Sequence, residues 1–329
     1  TYSILTSGQN AASVDHDLFS VAGGGVLTFQ ASPDFESAGC GAGNNANTCV
    51  VVIQVTDGTN TDTITVTVTV QDVNEAAPVF TAGDTGSSTP NEGTTAAGTF
   101  AATDTDGTAT QTYSILTSGQ NAASVDHDLF SVAGGGVLTF QAAPNFEDPG
   151  CGSGDDSNTC AVVIQVTDGA NTDTITVTVT VQDLNDETPA FTSSATPSIN
   201  ENVQNVVTLG ASDADDGDSV SFAITGGADE DLFEITGGTT LRFKAGAGAN
   251  FEAPGDADSG NDYVVIVTAT DTGANSVAQT ITASIQDVNE FAPVFGDADG
   301  DGESSTATAT PNENQQAVGT YAATDADGS

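Results

Sequence analysis

The 329-residue chain sets 46 Asp+Glu against 2 Lys+Arg, a formal net charge of −44. So few cationic side chains exclude nucleic acid as a partner, because phosphate binding needs Lys and Arg, and weigh against an anionic membrane surface. Two sources for this acidity remain, a strongly solvated acidic surface or a chain that binds many cations.

Val, Thr, Ala, Gly and Asp dominate, and short Val/Thr runs punctuated by Gly, Asn and Asp predict an all-β protein. No apolar run approaches the roughly 20 residues that cross a bilayer as a helix. There is no signal peptide and no Met, so the chain reads as a processed product or an excerpt of something longer.

The elements are clearest in the middle of the chain. GTTAAGTFAATD (93–104) predicts an early strand and TQTYSILT (110–117) the next. DLFSVAGGGVLTFQA (128–142) predicts a hairpin around Gly134, Gly135 and Gly136, where positive φ costs little. CAVVIQVTDG (160–169) and DTITVTVTVQD (173–183) predict a second hairpin turning at 169–172. In its last strand Ile175, Val177, Val179 and Val181 share one face and Thr174, Thr176, Thr178 and Thr180 the other, the period of two expected where one face is buried. Seven short strands with such turns predict a Greek-key sandwich.

The pattern repeats. Residues 1–80 and 112–191 align without a gap, with 65 of 80 positions identical, and a third, diverged copy ends in QDVNEFAPVF (286–295). Residues 310–329 match 89–108, so the C-terminal segment has the sequence of a domain's start and the N-terminal segment that of its remainder. The expected domains are residues 1–75, lacking the first strands and completed by the 293–329 segment of an adjoining link, then 76–186 and 187–290, both complete, and 291–329, the first strands of the next. Two readings follow: one period of a long tandem array, cut in a loop, which is the favoured one, or separate subunits that complete one another's sheets. Either makes the partners copies of this chain arranged head to tail.

Each repeat carries the same acidic segments in the same order. They are PNEG (90–93), INEN (199–202) and PNEN (311–314); TDTDG (103–107), SDADDG (212–217) and TDADG (324–328); PDFE (33–36), PNFE (144–147) and ANFE (249–252); VTDG ending at 58 and at 169, and ATDTG (269–273); and the linkers QDVNEAAPVF (71–80), QDLNDETPAF (182–191) and QDVNEFAPVF. In this set the chain resembles the cadherin repeat, in its bacterial cadherin-like form, over its whole length. The resemblance implies tandem seven-stranded sandwiches in a linear array, with Ca²⁺ held between consecutive domains. The chemistry agrees, since Ca²⁺ takes six to eight oxygens and clustered carboxylates repel one another without a cation.

Carried over residue by residue, the first junction takes Asp34, Glu36, Asp72, Asn74 and Glu75, then Asp104, Asp106 and Asp168, with Glu313 from a neighbouring link. The second takes Glu92, Glu147, Asp183, Asn185 and Asp186, then Asp213, Asp215 and Asp271. The third takes Glu201, Glu252, Asp287, Asn289 and Glu290, then Asp325, Asp327 and Asp57 of the adjoining link. Asn145 and Asn250 stand where the first copy has Asp34, which removes a charge and implies weaker binding of one ion there. The competing reading makes these acids solvated turn residues.

Cys40 and Cys49, and likewise Cys151 and Cys160, bracket a Gly/Asn/Asp loop before the same strand, and their equal spacing predicts local disulfides Cys40–Cys49 and Cys151–Cys160. Zinc is the rival, a poor one with two Cys per domain and no His nearby. Disulfides place the chain outside the cytosol, secreted or at a cell surface, with a prokaryotic source suspected. His16 and His127, in identical VDHDLF segments, read as exposed loop histidines because no nucleophile motif accompanies them. GDADGDGE (296–303) opens like a calcium loop, but Thr308 stands at position twelve, and it reads as an acidic loop.

The sequence therefore predicts a non-enzymatic segment of an extracellular, calcium-stiffened fibre or stalk. The alternatives are a surface adhesin gripping a protein or glycan, which the absence of Trp disfavours as a sugar platform, and a spacer attached to an enzyme outside these residues.

Overall fold

The computed structural model describes residues 1–41, 46–106, 110–152, 157–215, 217–244, 246, 248–296 and 309–327. GDADGDGE lies outside them but for Gly296. The chain forms two bodies, Thr1–Gln182 and Asp183–Ser329.

In the first body the strands are β1 (Tyr2–Leu5), β2 (Phe19–Val21), β3 (Leu27–Phe29), β4 (Thr48–Thr56), β5 (Thr61–Thr69), β6 (Val79–Phe80), β7 (Thr85–Ser88), β8 (Ala96–Thr99), β9 (Ala102–Thr103), β10 (Thr112–Leu116), β11 (Phe130–Ala133), β12 (Val137–Phe140), β13 (Thr159–Thr167) and β14 (Thr172–Thr180). In the second they are β15 (Ala190–Phe191), β16 (Ser198–Asn200), β17 (Asn205–Thr208), β18 (Ala211–Ser212), β19 (Ser221–Gly226), β20 (Phe233–Thr236), β21 (Thr240–Phe243), β22 (Asp262–Thr270), β23 (Ser276–Gln286), β24 (Val294–Phe295) and β25 (Ala323–Thr324). The helical residues described are three single 3₁₀ turns, among them His16–Leu18 and His127–Leu129.

The strands from β6 to β14 make an all-β sandwich. One sheet runs β10–β13–β14–β7 and the other β11–β12–β8, with β6 and β9 paired beside them. The long hairpin sets the register, with Cys160 opposite Val179, Val162 opposite Val177 and Ile164 opposite Ile175. All six are buried, and Phe80, Phe100, Phe130, Leu138 and Phe140 close the core from the other side. Each such side chain contributes about 1.5–3 kcal/mol by leaving water. The Thr residues alternating with Ile175, Val177 and Val179 turn to the outer face, as the period of two requires. A sandwich of the same plan in the second body has sheets β16–β23–β22–β19 and β17–β21–β20, around Phe233, Leu241, Phe243, Tyr263, Val265 and Ile281.

The early strand expected over 93–104 is two strands. β8 pairs with β12 and β9 with β6, and the chain changes sheet between them at Phe100 and Ala101, just after Gly98, which lies within β8 with a φ of 139° that suits only glycine. β7 runs parallel to β14, a pairing the alternation pattern did not reveal.

Both expected disulfides are present, with Cα–Cα separations of 4.7 Å within the ordinary range. In the second body Asp256 and Tyr263 stand at the corresponding positions. Tyr263 fills the space with a ring packed edge-on to Phe243, and its phenol oxygen accepts the Gly255 N–H at 2.9 Å.

His16 and His127 differ from the exposed loop reading. Each sits part-buried on a 3₁₀ turn with Nδ1 against the carbonyl of Ser13 or Ser124. Their neighbours Asp15 and Asp126 are buried. Asp126 accepts the N–H groups of Gly152 and Ala161, both at 2.7 Å, and donates its own N–H to the Ala161 carbonyl, so it occupies the edge of β13 beyond the end of β10.

Candidate metal centres

In the first body, the linker after β5 meets the turn after β9. Glu36, Asp72 and Asp106 bring carboxylate oxygens within 4.8 Å of one another. Asp106 is held by its own chain, with Oδ2 accepting the Ala76 N–H at 2.7 Å and its N–H donated to Asp104 Oδ1 at 3.0 Å. The other oxygens, Asp106 Oδ1 and Asp104 Oδ2, are buried and have no hydrogen-bond partner.

Asp168, at the β13–β14 turn, accepts the N–H groups of Ala170 and Asn171, which holds its carboxyl below the ordinary value. Asn171 reaches back to the linker and donates to the Ala76 carbonyl at 2.8 Å and to Asn74 Oδ1 at 3.3 Å. For Glu36 a backbone hydrogen bond pulls downward, but desolvation and the charges of Glu75, Asp106 and Asp72 outweigh it, and its carboxyl sits above the usual range.

The residues of the second predicted set fall in both bodies, and each part is taken in its own. In the first, Glu92 is buried and accepts the Phe146 N–H at 2.7 Å. In the second, Asp213, Asp215, Asp218 and Asp271 converge within 4.8 Å. Asp215 Oδ2 accepts the Glu187 N–H, Asp213 Oδ1 accepts the Asp215 N–H, and Asp271 Oδ1 accepts the Asn275 N–H. Asp213 Oδ2, Asp215 Oδ1 and Asp271 Oδ2 are left buried without hydrogen-bond partners. Desolvation, reinforced by the charges of Asp213 and Asp183, raises the Asp215 carboxyl. Asn185 sits among Asp218, Thr272 and Asn275, as Asn74 sits beside Asn171.

Further along the second body, Glu201, Glu252 and Glu290 form another group within 4.8 Å. Glu201 is fixed by the N–H groups of Val288 and Phe251, each at 2.9 Å. Both oxygens of Glu252 are buried without hydrogen-bond partners, and desolvation raises the carboxyls of Glu252 and Glu290. Asp325 and Asp327 repeat the geometry of Asp104 and Asp106, with Asp327 Oδ2 accepting the Phe291 N–H at 2.7 Å.

Asp34, taken above as a ligand, accepts the Ser37 N–H across its own turn, and Asn145 and Asn250 make the same contact to Asp148 and Ala253. The change from Asp to Asn keeps the turn and removes only the charge. Asp57 likewise accepts the Thr59 and Asn60 N–H groups, and Glu313 is exposed. Asp218, Asn171 and Asn275 were missed. For the two Asn residues the signal available was an Asn three or four residues after each turn Asp, as in Asp57/Asn60, Asp168/Asn171 and Asp271/Asn275.

The donor chemistry fits a hard divalent cation. The donors are oxygens, and in Asp104, Asp106, Asp213, Asp215 and Asp271 one oxygen is pinned by a backbone N–H while the other is buried without a hydrogen-bond partner. The chain's two basic side chains are engaged elsewhere, Arg242 with Glu234 and Lys244 with the Asp231 carbonyl. Backbone-fixed carboxylates with free oxygens are the arrangement Ca²⁺ uses.

No family model and no curated protein matches the sequence. Solved structures do match. The extracellular domain of protocadherin GammaB4 superposes over 100% of this chain with a TM-score of 0.63 at 20% identity. The fold is that of the cadherin repeat. Human CDH23 EC21-23 gives 0.55 at 18% identity, covering 86% of this chain and 87% of that one, and mouse protocadherin-24 EC1-3 gives 0.52 at 19%, covering 87% and 90%. The chain spans 50% of the length of the protocadherin GammaB4 chain. These cadherin structures lend no support to a prokaryotic source for this cadherin-like chain.

Proposed function

We propose that the chain is a structural segment of an extracellular fibre or stalk of tandem cadherin-like repeats, stiffened at its joints by Ca²⁺. The observation that carries this is the convergence of buried carboxylate oxygens without hydrogen-bond partners, at Asp104 and Asp106, and at Asp213, Asp215 and Asp271. Such oxygens are costly to bury unless a cation meets them.

The mechanism is linkage. An ion that binds only the docked linker raises the population of that state by its differential affinity. Asp106 holds the linker through Ala76, Asn171 holds it through Ala76 and Asn74, and the bound ion adds the attraction that turns mutual repulsion into a clasp. No catalytic or cofactor chemistry is assigned to these residues. The two disulfides suit an oxidising, extracellular setting.

The test is small-angle scattering and limited proteolysis of the chain in calcium and in chelator. Calcium should give a longer, more uniform particle with linkers 70–78 and 287–292 protected, and chelation should expose them. Identical profiles in both conditions would end the calcium-stiffening account.

A further inference from the structure

The repeat in the second body lacks the cross-link of the other two, and its loop is held differently there. PGCGSGDDSNTC (149–160) corresponds to PGDADSGNDY (254–263), which is two residues shorter, with Asp256 in the place of Cys151 and Tyr263 in that of Cys160. In the cross-linked loop the backbones of Cys151 and Ser157 exchange two hydrogen bonds at 3.0 Å, and the disulfide ties the loop to β13. In the shorter loop a carboxylate takes over. Asp256 Oδ2 accepts the Gly260 N–H at 2.8 Å. Asp258 Oδ1 accepts the same N–H at 3.1 Å, so two negative groups meet at one donor.

Two oxygens are left over. Asp256 is only 7% exposed, and its Oδ1 is buried without a hydrogen-bond partner. Asn261, next to Gly260, donates Nδ2 to the Phe251 carbonyl at 3.0 Å, and its Oδ1 is also buried without a partner. Asn158 makes the same contact to the Phe146 carbonyl at 2.8 Å, yet it leaves no such oxygen.

The surroundings do not neutralise this charge. Residues 253–263 include three Asp and no Lys or Arg. Asp229, itself buried, gives its oxygens to the N–H groups of Ala257 and Val264, each at 2.7 Å. Arg242 is engaged by Glu234 and Lys244 by the Asp231 carbonyl. Burial raises the Tyr263 phenol, and the charges of Asp256 and Asp229 add to the shift, so this ring faces uncompensated negative charge. A water molecule could satisfy the bare oxygens but not their charge, and a cation does both.

We infer that the loop 253–263 binds a divalent cation of the calcium class through Asp256 Oδ1 and Asn261 Oδ1, with Asp258 on its exposed side, and that this ion fastens the loop where the other two repeats use a disulfide. Water completes the six to eight oxygens that such an ion takes. The site is separate from the joints. Glu252, four residues before Asp256, converges with Glu201 and Glu290, and none of the three loop ligands belongs to that group.

The experiment follows hydrogen exchange of the 329-residue chain by mass spectrometry in chelator and across a calcium titration, for wild type, Asp256→Asn and Asp258→Asn. Calcium should slow exchange over 254–263 at least tenfold in wild type. Asp256→Asn keeps an acceptor for the Gly260 N–H but removes the charge, so it should lose this protection while segments 199–202 and 287–292 keep theirs. Asp258→Asn should shift the calcium midpoint of the loop several-fold upward. Melting supplies the second readout. In chelator Asp256→Asn should unfold at or above the wild-type temperature, because it no longer buries an unpaired charge, and in calcium below it. Loop exchange that ignores calcium in wild type, a site that holds water only, overturns the inference. So does an Asp256→Asn variant whose loop still responds, or one that melts below wild type equally in both solutions, which marks a merely structural Asp256. A loop that responds while 199–202 and 287–292 do not supports this site and removes the joints instead.

Discussion

A Cβ on Gly136 would stand 1.8 Å from the carbonyl oxygen of Phe100. The Phe100 N–H is donated to the Gly136 carbonyl at 2.8 Å, so the two backbones are tied together at the point of closest approach. Gly136 also has a φ of 74°. Gly136→Ala therefore faces both a backbone clash and a disfavoured conformation. It should cost about 2–3 kcal/mol, read as a lowered denaturation midpoint, while Gly134→Ala, with open space around it and no positive φ, should be nearly neutral.

The joints make a second prediction. Asp106→Asn keeps an oxygen for the Ala76 N–H but removes the charge facing Glu36 and Asp72. Calcium at about 100 times its dissociation constant stabilises a site it occupies by about 2.7 kcal/mol. The variant should lose most of the calcium-induced rise in melting temperature of the first body and show more than a tenfold weaker calcium affinity by calorimetry. An unchanged calcium response would remove Asp106 from the ligand set.

Acidity should act in opposite directions at neighbouring carboxylates. In chelator, Glu252 and Glu290 lie above the ordinary glutamate value of 4.5. A raised folded pKa means the folded state holds the proton more tightly, so this contribution is present in acid and lost as pH rises through the folded value. Glu201 has the reverse shift. Burial pushes its carboxyl up, but the hydrogen bonds from Phe251 and Val288 outweigh it, so its contribution is lost as pH falls. Replacing Glu252 by Gln isolates the first effect. Between about pH 4.5 and 6 the wild type should gain stability over the variant as pH falls. With saturating calcium that gain should reverse, since protons then compete with the ion.

The disulfides give a fourth prediction. Cys151 and Cys160 close a loop with a sequence separation of 9, for which cross-linking the unfolded chain is worth about 2–3 kcal/mol. The double Ser variant should unfold at correspondingly lower denaturant. The second body has Tyr263 in place of the cross-link, and its melting should be indifferent to reducing agent.

Much of this was legible in the residues. The alternation of Val and Thr along β14 states which face is buried, the matched cysteine spacing states the cross-links, and the repeated acidic segments state where negative charge gathers. Three things were hidden. The break between β8 and β9 depends on where the other sheet lies, which no local preference around Gly98 announces. The pairing of Asn171 with Ala76 joins residues 95 apart in sequence. And Asp34 and Asp106 look alike as letters, and each gives one oxygen to a backbone N–H, but Asp34 is exposed while the other oxygen of Asp106 is buried, a distinction made by burial alone.

The parallel run of β7 along β14 has a mechanical consequence. Thr85 to Ser88 pair with Thr176 to Val179, and Asn91 adds a bridge to Gln182, so the entering and leaving ends of the domain are laced side by side in the same direction. Tension pulling those ends apart must shear all these rungs together, whereas an antiparallel pair would open one rung at a time. The same lacing between β16 and β23 gives the second body its own shear clamp.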